Sequence, residues 1–425
     1  MKYNLHTLDN GLRIILTPMK SSSTATCLIM TGTGSRYENK SENGLAHFLE
    51  HMFFKGTKKR PNTNAISQEL DAIGGMYNAF TGKDRTAYYA KVSHDKLDVA
   101  IDVISDIFLN SKLPQKEIDK ERGAILQEID MYADMPRYYI DDIFDAAFFS
   151  KGTALTRTIL GPKKNIRNFS RGDFTKYLKR NYNTKNTVVS IAGNFNEKEV
   201  LATLKKTFTG MNTGVMPTCE LAKLTNKLTP QVSIKYKKTE QTQIMLGIPA
   251  YEYGHKDTFT QMMLHNVLSG GMSSRLFTEV REKLGLAYSI HAQTERYPDI
   301  AYMAVLAGIE HRNLSKTTGV IIDVFKKLKK IKITNKELAK ARENILGHKA
   351  LQNETTDAIA TTTATQILST GKVLTEAELK KGLTAVTTSD IKRVANDLFV
   401  ANKLTLAVIG PHKSTPKLME ALNKL

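Results

Sequence analysis

Tryptophan is absent from the 425-residue chain, cysteine occurs only twice and proline only 11 times. Cys27 and Cys219 cannot build a disulfide framework, and neither belongs to a CxxC pair, so a protein of a reducing compartment is expected. No apolar run approaches the ~18 residues that a membrane-crossing helix needs. The opening MKYNLHTLDNGLRIIL has neither an apolar signal region nor the Arg/Ser-rich character of a transit peptide. The expectation is therefore cytoplasmic, with no membrane partner. Low-complexity segments and long blocks of like charge are also missing, which argues against a disordered tail.

What the chain has in excess is positive charge, with 61 Lys and Arg against 42 Asp and Glu, a formal +19. A nucleic-acid binder would cluster that charge on one face or beside aromatic side chains. Here the short runs, such as 55–60 and 326–332, are scattered through ordinary apolar pattern. They read as solvated surface, and nucleic acid is not an expected partner. The 41% hydrophobic content suffices for ordinary cores.

Short strand-like stretches alternate with longer helical ones, an α+β pattern. Strands are expected at Leu12–Thr17 and Thr24–Met30, helices near 43–54 and 64–73, and a β-rich stretch at 77–92. Helices follow near 95–110, 115–132 and 137–149, then a strand at 186–192 and a helix at 197–208. The order then recurs. Lys116-Glu117-Ile118-Asp119-Lys120-Glu121-Arg122 is echoed by Lys336-Glu337-Leu338-Ala339-Lys340-Ala341-Arg342, and Ile191-Ala192-Gly193 by Val408-Ile409-Gly410. Two echoes at nearly one offset point to an ancient duplication. The expected organisation is a first domain over 1–213, a linker over 214–229 and a homologous second domain over 230–425.

His47-Phe48-Leu49-Glu50-His51 falls within the helix expected from about Asn43. At 100° per residue, Leu45, Phe48, Leu49 and Met52 share one face, and His47, Glu50, His51 and Phe54 the opposite one. Histidines at i and i+4 can aim both rings at one point, with Glu50 between them. The same string also fits the wet side of an amphipathic helix. A catalytic zinc site needs a third protein ligand and an open position. Glu121 and Glu128, two turns apart on the later helix, can supply it. Their counterparts in the second half are Ala341 and His348, so the helix recurs without its acids and does not require them.

His47 to His51 followed by Glu128, after 76 intervening residues, resembles the inverted zinc-binding motif of the pitrilysin-type metallopeptidases. The flanks are similar too: Gly44-Leu45-Ala46, Phe54-Lys55-Gly56-Thr57 and Asn78-Ala79-Phe80-Thr81. Arg281-Glu282-Lys283-Leu284-Gly285-Leu286-Ala287-Tyr288 resembles the family's Arg–Tyr pair. The likeness runs through essentially the whole chain and is nearest to the processing-peptidase-like subfamily.

The resemblance implies two homologous α+β domains, each an antiparallel-rich sheet with helices packed on one face, the second lacking the metal motif. It implies one zinc ion per chain held by His47, His51 and Glu128, with Glu121 as a supporting acid. Glu50 would be the general base on a zinc-activated water, in an endopeptidase or oligopeptidase acting on extended peptides within a closing chamber. Arg281 and Tyr288 would hold the substrate backbone across the domain gap. Asn78, Ala79 and Phe80 would form an edge strand to which the peptide adds. Read without the resemblance, Arg281 is an ordinary last-turn residue of a helix over Ser274–Leu284. Tyr288 is then an ordinary residue of a strand over Leu286–Ala292. A homodimer is the implied assembly. The alternative is a non-catalytic peptide-binding or scaffold subunit of the same fold.

Overall fold

The computed structural model describes residues 2–225 and 228–425. Residues 226 and 227 of the expected linker lie outside the described residues. Strands β1 (Asn4–Thr7), β2 (Arg13–Pro18), β3 (Thr24–Thr31), β4 (Met76–Thr81), β5 (Thr86–Ser93) and β6 (Thr187–Gly193) form one sheet in the order β1-β2-β6-β3-β5-β4. Strands β7 (Gln231–Tyr236), β8 (Thr242–Ala250), β9 (Ala287–Arg296), β10 (Ala301–Ile309) and β11 (Thr405–Gly410) form a second, in the order β7-β11-β8-β10-β9. Apart from β1, the two orders correspond strand for strand. Each sheet has one parallel pair, β2 with β6 and β7 with β11, and is otherwise antiparallel. The echoes in the sequence are thus echoes of topology.

The chain separates into two compact units, and neither is contiguous. One comprises Met1–Asp130, Arg157–Glu220 and Ala350–Val373; the other comprises Met131–Thr156, Leu221–Lys349 and Leu374–Leu425. The segments 131–156 and 350–373 occupy matching places in the two halves, and each counts with the other half's unit. A contiguous 1–213 and 230–425 division does not describe this exchange.

Burial explains why an extra helix is recruited in each unit. Every residue of β3 after Thr24 is buried, as is all of β6, so both faces of the first sheet need cover. On one face Ile14, Cys27, Ile29 and Tyr88 pack among several helices, including Leu45–Phe53. On the other, Ile15, Leu28, Met30 and Val188 meet Ile359, Ala364 and Ile367 of the helix Thr356–Thr370. The expected helical layer on one face is present, and this single helix closes the opposite face. Its polar positions are accommodated: Thr356 Oγ1 lies 2.8 Å from Thr26 Oγ1, and Thr363 Oγ1 lies 3.0 Å from Ser190 Oγ.

The second unit uses the same device. The helix Pro136–Phe148 lays Phe144 and Phe148 against Met245, Tyr302 and Ala407 of its sheet. Burying each ring favours this packing by about 1.5–3 kcal/mol. Close approach requires a glycine beneath the ring, because a Cβ on Gly247 would come within 2.4 Å of Phe144 Cζ. Among the described residues no helix is long and apolar enough to cross a membrane.

Candidate zinc centre

The helix Leu45–Phe53 is held by its start and by its apolar face. Leu45, Phe48, Leu49, Met52 and Phe53 are fully buried, and Phe53 stacks on Tyr88 of β5 with ring centroids 4.7 Å apart. Gly44, the residue before the helix, has φ 102°, and a Cβ there would come within 2.6 Å of the Leu160 carbonyl oxygen. It offers no capping side chain. The task falls to Glu38, whose carboxylate accepts from Ala46 N at 2.6 Å, Gly44 N at 3.0 Å and Asn43 Nδ2 at 3.0 Å. An acid at the positive end of a helix is favourable, and this one satisfies two otherwise orphaned N–H groups. Nothing in the sequence pattern singled it out.

Glu38 also makes the helix pH-sensitive. Burial is the largest influence on its carboxyl and pushes it up to about 7 from an ordinary 4.5, against the pull of Ala46, Asn43, Gly44 and Arg157. The folded state therefore holds this proton more tightly than the unfolded chain. The resulting stability is fully present below pH 4.5 and is lost as the pH rises through about 7. Glu38→Gln should flatten that decline in a melting series from about pH 4 to 8. Its overall level should fall by about 1–3 kcal/mol, because one N–H loses its acceptor. An unchanged slope would assign the pH dependence to other groups.

His47, His51 and Glu128 converge as the i, i+4 spacing predicts. Their nearest ligand atoms all lie within 4.8 Å of one another, the one such group of three among the described residues. Glu128 Oε2 stands 3.6 Å from His47 Nε2 and 3.6 Å from His51 Nε2. Those separations are long for hydrogen bonds. They match the roughly 3.4 Å expected between ligand atoms each about 2.1 Å from a tetrahedral centre. The rings sit edge to face with centroids 4.7 Å apart.

Glu121 touches the cluster through His51. Its Oε1 lies 2.9 Å from His51 Nδ1, and its Oε2 takes Lys55 Nζ at 2.6 Å. With Nδ1–H donated to a carboxylate, the lone pair of His51 is at Nε2, facing Glu128. Burial opposes ionisation of Glu121, yet the His51 and Lys55 contacts outweigh it and hold the carboxyl down at about 2. Burial and the neighbouring His51 lower His47 to about 3, so its ring is a neutral donor. His47 Nδ1 is buried with no hydrogen-bond partner among the described residues, so packing sets that ring.

Glu50 lies beside the trio and outside it. Thr81 Oγ1, at the end of β4, donates to Glu50 Oε2. Burial raises the Glu50 carboxyl first of all; Thr81 and His51 oppose, and the charge of Glu128 adds to the rise. Glu128 is likewise raised by burial, with His51 opposing. Three carboxylates around two imidazoles, with Lys55 bonded to Glu121 on its far side, form a donor set suited to a divalent cation.

Asn78, Ala79 and Phe80 lie on β4, which among the described residues pairs only with β5 and leaves its outer edge open. In the second unit, the helical segment around Arg281 departs from the α-helix expected there. Phe277–Glu282 is wound as a π-helix, and the chain turns out of it at Gly285 with φ 57°. Arg281 Cζ lies 5.0 Å from the Tyr288 ring centroid and 4.8 Å from that of Phe277. Tyr288 is thrown out of the ladder by a bulge. Gly308 pairs with Ser289 and Ile309 with Ala287, leaving Tyr288 without a partner and 80% exposed. His265 hydrogen-bonds Thr294 at 3.0 Å, as befits a satisfied polar residue.

The pattern of the family described as Insulinase (Peptidase family M16) matches residues 13–163, and that of the Peptidase M16 inactive domain matches 168–345. The chain is 34% identical over 417 residues to the uncharacterized zinc protease YmxG of Bacillus subtilis, covering 97% of this chain and 99% of that one. It is 33% identical to an uncharacterized zinc protease of Streptomyces coelicolor, with coverage of 96% and 89%. Among solved structures, a protease from Helicobacter pylori superposes with a TM-score of 0.89 at 25% identity, over 96% of this chain and 99% of that one. The stretch matched by the inactive-domain pattern includes Ala341, which stands where the first half has Glu121. The chain belongs to peptidase family M16.

Proposed function

We propose that the chain is a zinc-dependent endopeptidase or oligopeptidase that hydrolyses extended peptides. The observation that carries this reading is the convergence of His47, His51 and Glu128, with Glu50 beside them and outside the ligand set. Bound by those three residues, one ion per chain, zinc supplies the Lewis acid that polarises the scissile carbonyl and activates water. Glu50 accepts the proton of the attacking water and returns it to the leaving amine. Its burial raises its proton affinity towards the range such a shuttle needs, and Thr81 fixes its orientation. Glu121 and Lys55 hold His51 in the ligating tautomer.

The open edge of β4 at Asn78, Ala79 and Phe80 offers main-chain hydrogen bonds to an extended peptide without demanding a sequence. Arg281 and Tyr288 hold the substrate backbone. The protein acts as a homodimer with one complete zinc site in each chain.

Metal analysis of the purified protein, with digestion of a mixed peptide library before and after chelation, tests the reading. The expected result is about one zinc per chain, with cleavage abolished by the chelator and restored by zinc. Peptide binding with well under one zinc and no cleavage would instead identify a non-catalytic binding subunit of the same fold.

A further inference from the structure

Beside Tyr288 the second unit holds a cavity of about 330 Å³, at the small end of ligand pockets. It lies where the helix Pro136–Phe148 begins, over the face of the sheet that the same helix seals further along with Phe144 and Phe148. There the wall mixes Tyr138, Ile140 and Leu306 with the polar side chains of Gln241, Gln243 and Gln293. The floor depends on Gly308. A Cβ on it would come within 2.9 Å of Gln241 Oε1 and 3.1 Å of Gln243 Nε2, so its missing side chain lets both amides lie across the strand. Neither amide has a hydrogen-bond partner among the described residues.

The charges around the cavity offset one another. Arg137 and Asp141 stand one turn apart on the helix, and Gln293 Nε2 donates to Asp141 Oδ1 at 3.4 Å. Burial, with Arg137 nearby, holds His291 below its ordinary value, so that ring is neutral at neutral pH. A basic side chain entering would meet Arg137, and an acidic one would meet Asp141. A group that both donates and accepts without charge would satisfy Gln241 and Gln243 together.

We propose that this cavity is a side-chain subsite that takes an uncharged hydrogen-bonding residue of the peptide, glutamine or asparagine above all, next to Tyr288. The inference rests on the peptidase reading and assigns it a specificity. Tyr288 holds the backbone, and the residue adjoining that contact places its carboxamide against Gln241 and Gln243.

Extended peptides that differ at one scanned position, carrying Gln, Asn, Leu, Glu or Lys there, test the subsite by kcat/KM. The expected result is one position at which Gln or Asn exceeds Leu, Glu and Lys by about tenfold. Gln243→Leu should bring that ratio to within about twofold, and Gln243→Glu should turn the preference towards Lys. Gln241 is exposed, so Gln241→Leu removes the second amide at a position where folding is not at stake. A best residue of Leu, Glu or Lys in the wild type, or a preference indifferent to all three variants, would overturn the subsite and leave the peptidase reading standing. Failure of the wild type to cleave any peptide or to hold zinc would overturn both.

Discussion

Glu50→Gln should retain its zinc and lose turnover by about 10²- to 10⁴-fold, the range general acid–base catalysis contributes. The substitution is close to isosteric. The carbonyl oxygen of glutamine can still accept from Thr81 Oγ1, so the helix, the ring positions and the ligand set are unperturbed. What disappears is a site that can take and return a proton. Because Glu50 is not among the three converging ligands, metal affinity and catalysis should separate in this variant. Zinc content by metal analysis, read beside single-turnover cleavage of one defined peptide, checks the separation. Loss of zinc together with activity would move Glu50 into the ligand set. Retention of both would remove it from the chemistry. Thr81→Val should weaken turnover less, since it leaves the carboxylate in place and frees only its orientation.

The residues of the candidate site were legible to different depths, for physical reasons. His47, Glu50 and His51 could be read from spacing alone, because helix geometry turns i, i+3 and i+4 into one face and the structure keeps that helix. Glu128 lies 77 positions beyond His51, and spacing cannot say that two helices meet there. The family resemblance and the loss of the acids in the repeated helix pointed to it. Glu38 left no usable signal, and Thr81 entered only as the last residue of a family-like stretch, with no role attached. One acts on backbone N–H groups and the other on a single carboxylate oxygen, and neither makes a periodic pattern. The exchange of 131–156 and 350–373 was hidden for a related reason. Periodicity says which side of a helix is apolar, and says nothing of which sheet that side will cover. The duplication survived intact at the level of strand order, because sheet registers tolerate far less change than the helices that pack on them. Tyr288 lies within β9, as a strand residue was expected to, but the bulge that turns it out depends on pairing with Gly308 and Ile309, residues some twenty positions away.

The sharpest division within the site lies between its two carboxylates on the helix Gln115–Asp134. Glu128 offers an oxygen 3.6 Å from both His47 Nε2 and His51 Nε2, whereas Glu121 reaches only the far nitrogen of His51. Glu121→Gln should therefore lower zinc affinity about 10- to 100-fold, the usual cost of losing a partner that orients a ligand. Glu128→Gln removes an anionic ligand itself, leaving two neutral imidazoles, and should cost more than about 100-fold. Competition with a chromophoric chelator at fixed pH measures both. The helix should survive either change. Its counterpart Asn335–Gln352 is complete with Ala341 and His348 at the corresponding positions, so neither acid is needed to form it. Far-ultraviolet circular dichroism should accordingly be unaltered in both variants. Equal losses of affinity would place both acids on the metal. A larger loss for Glu121→Gln would mean that the tautomer of His51, fixed between Glu121 and Lys55, governs the site more than the third ligand does.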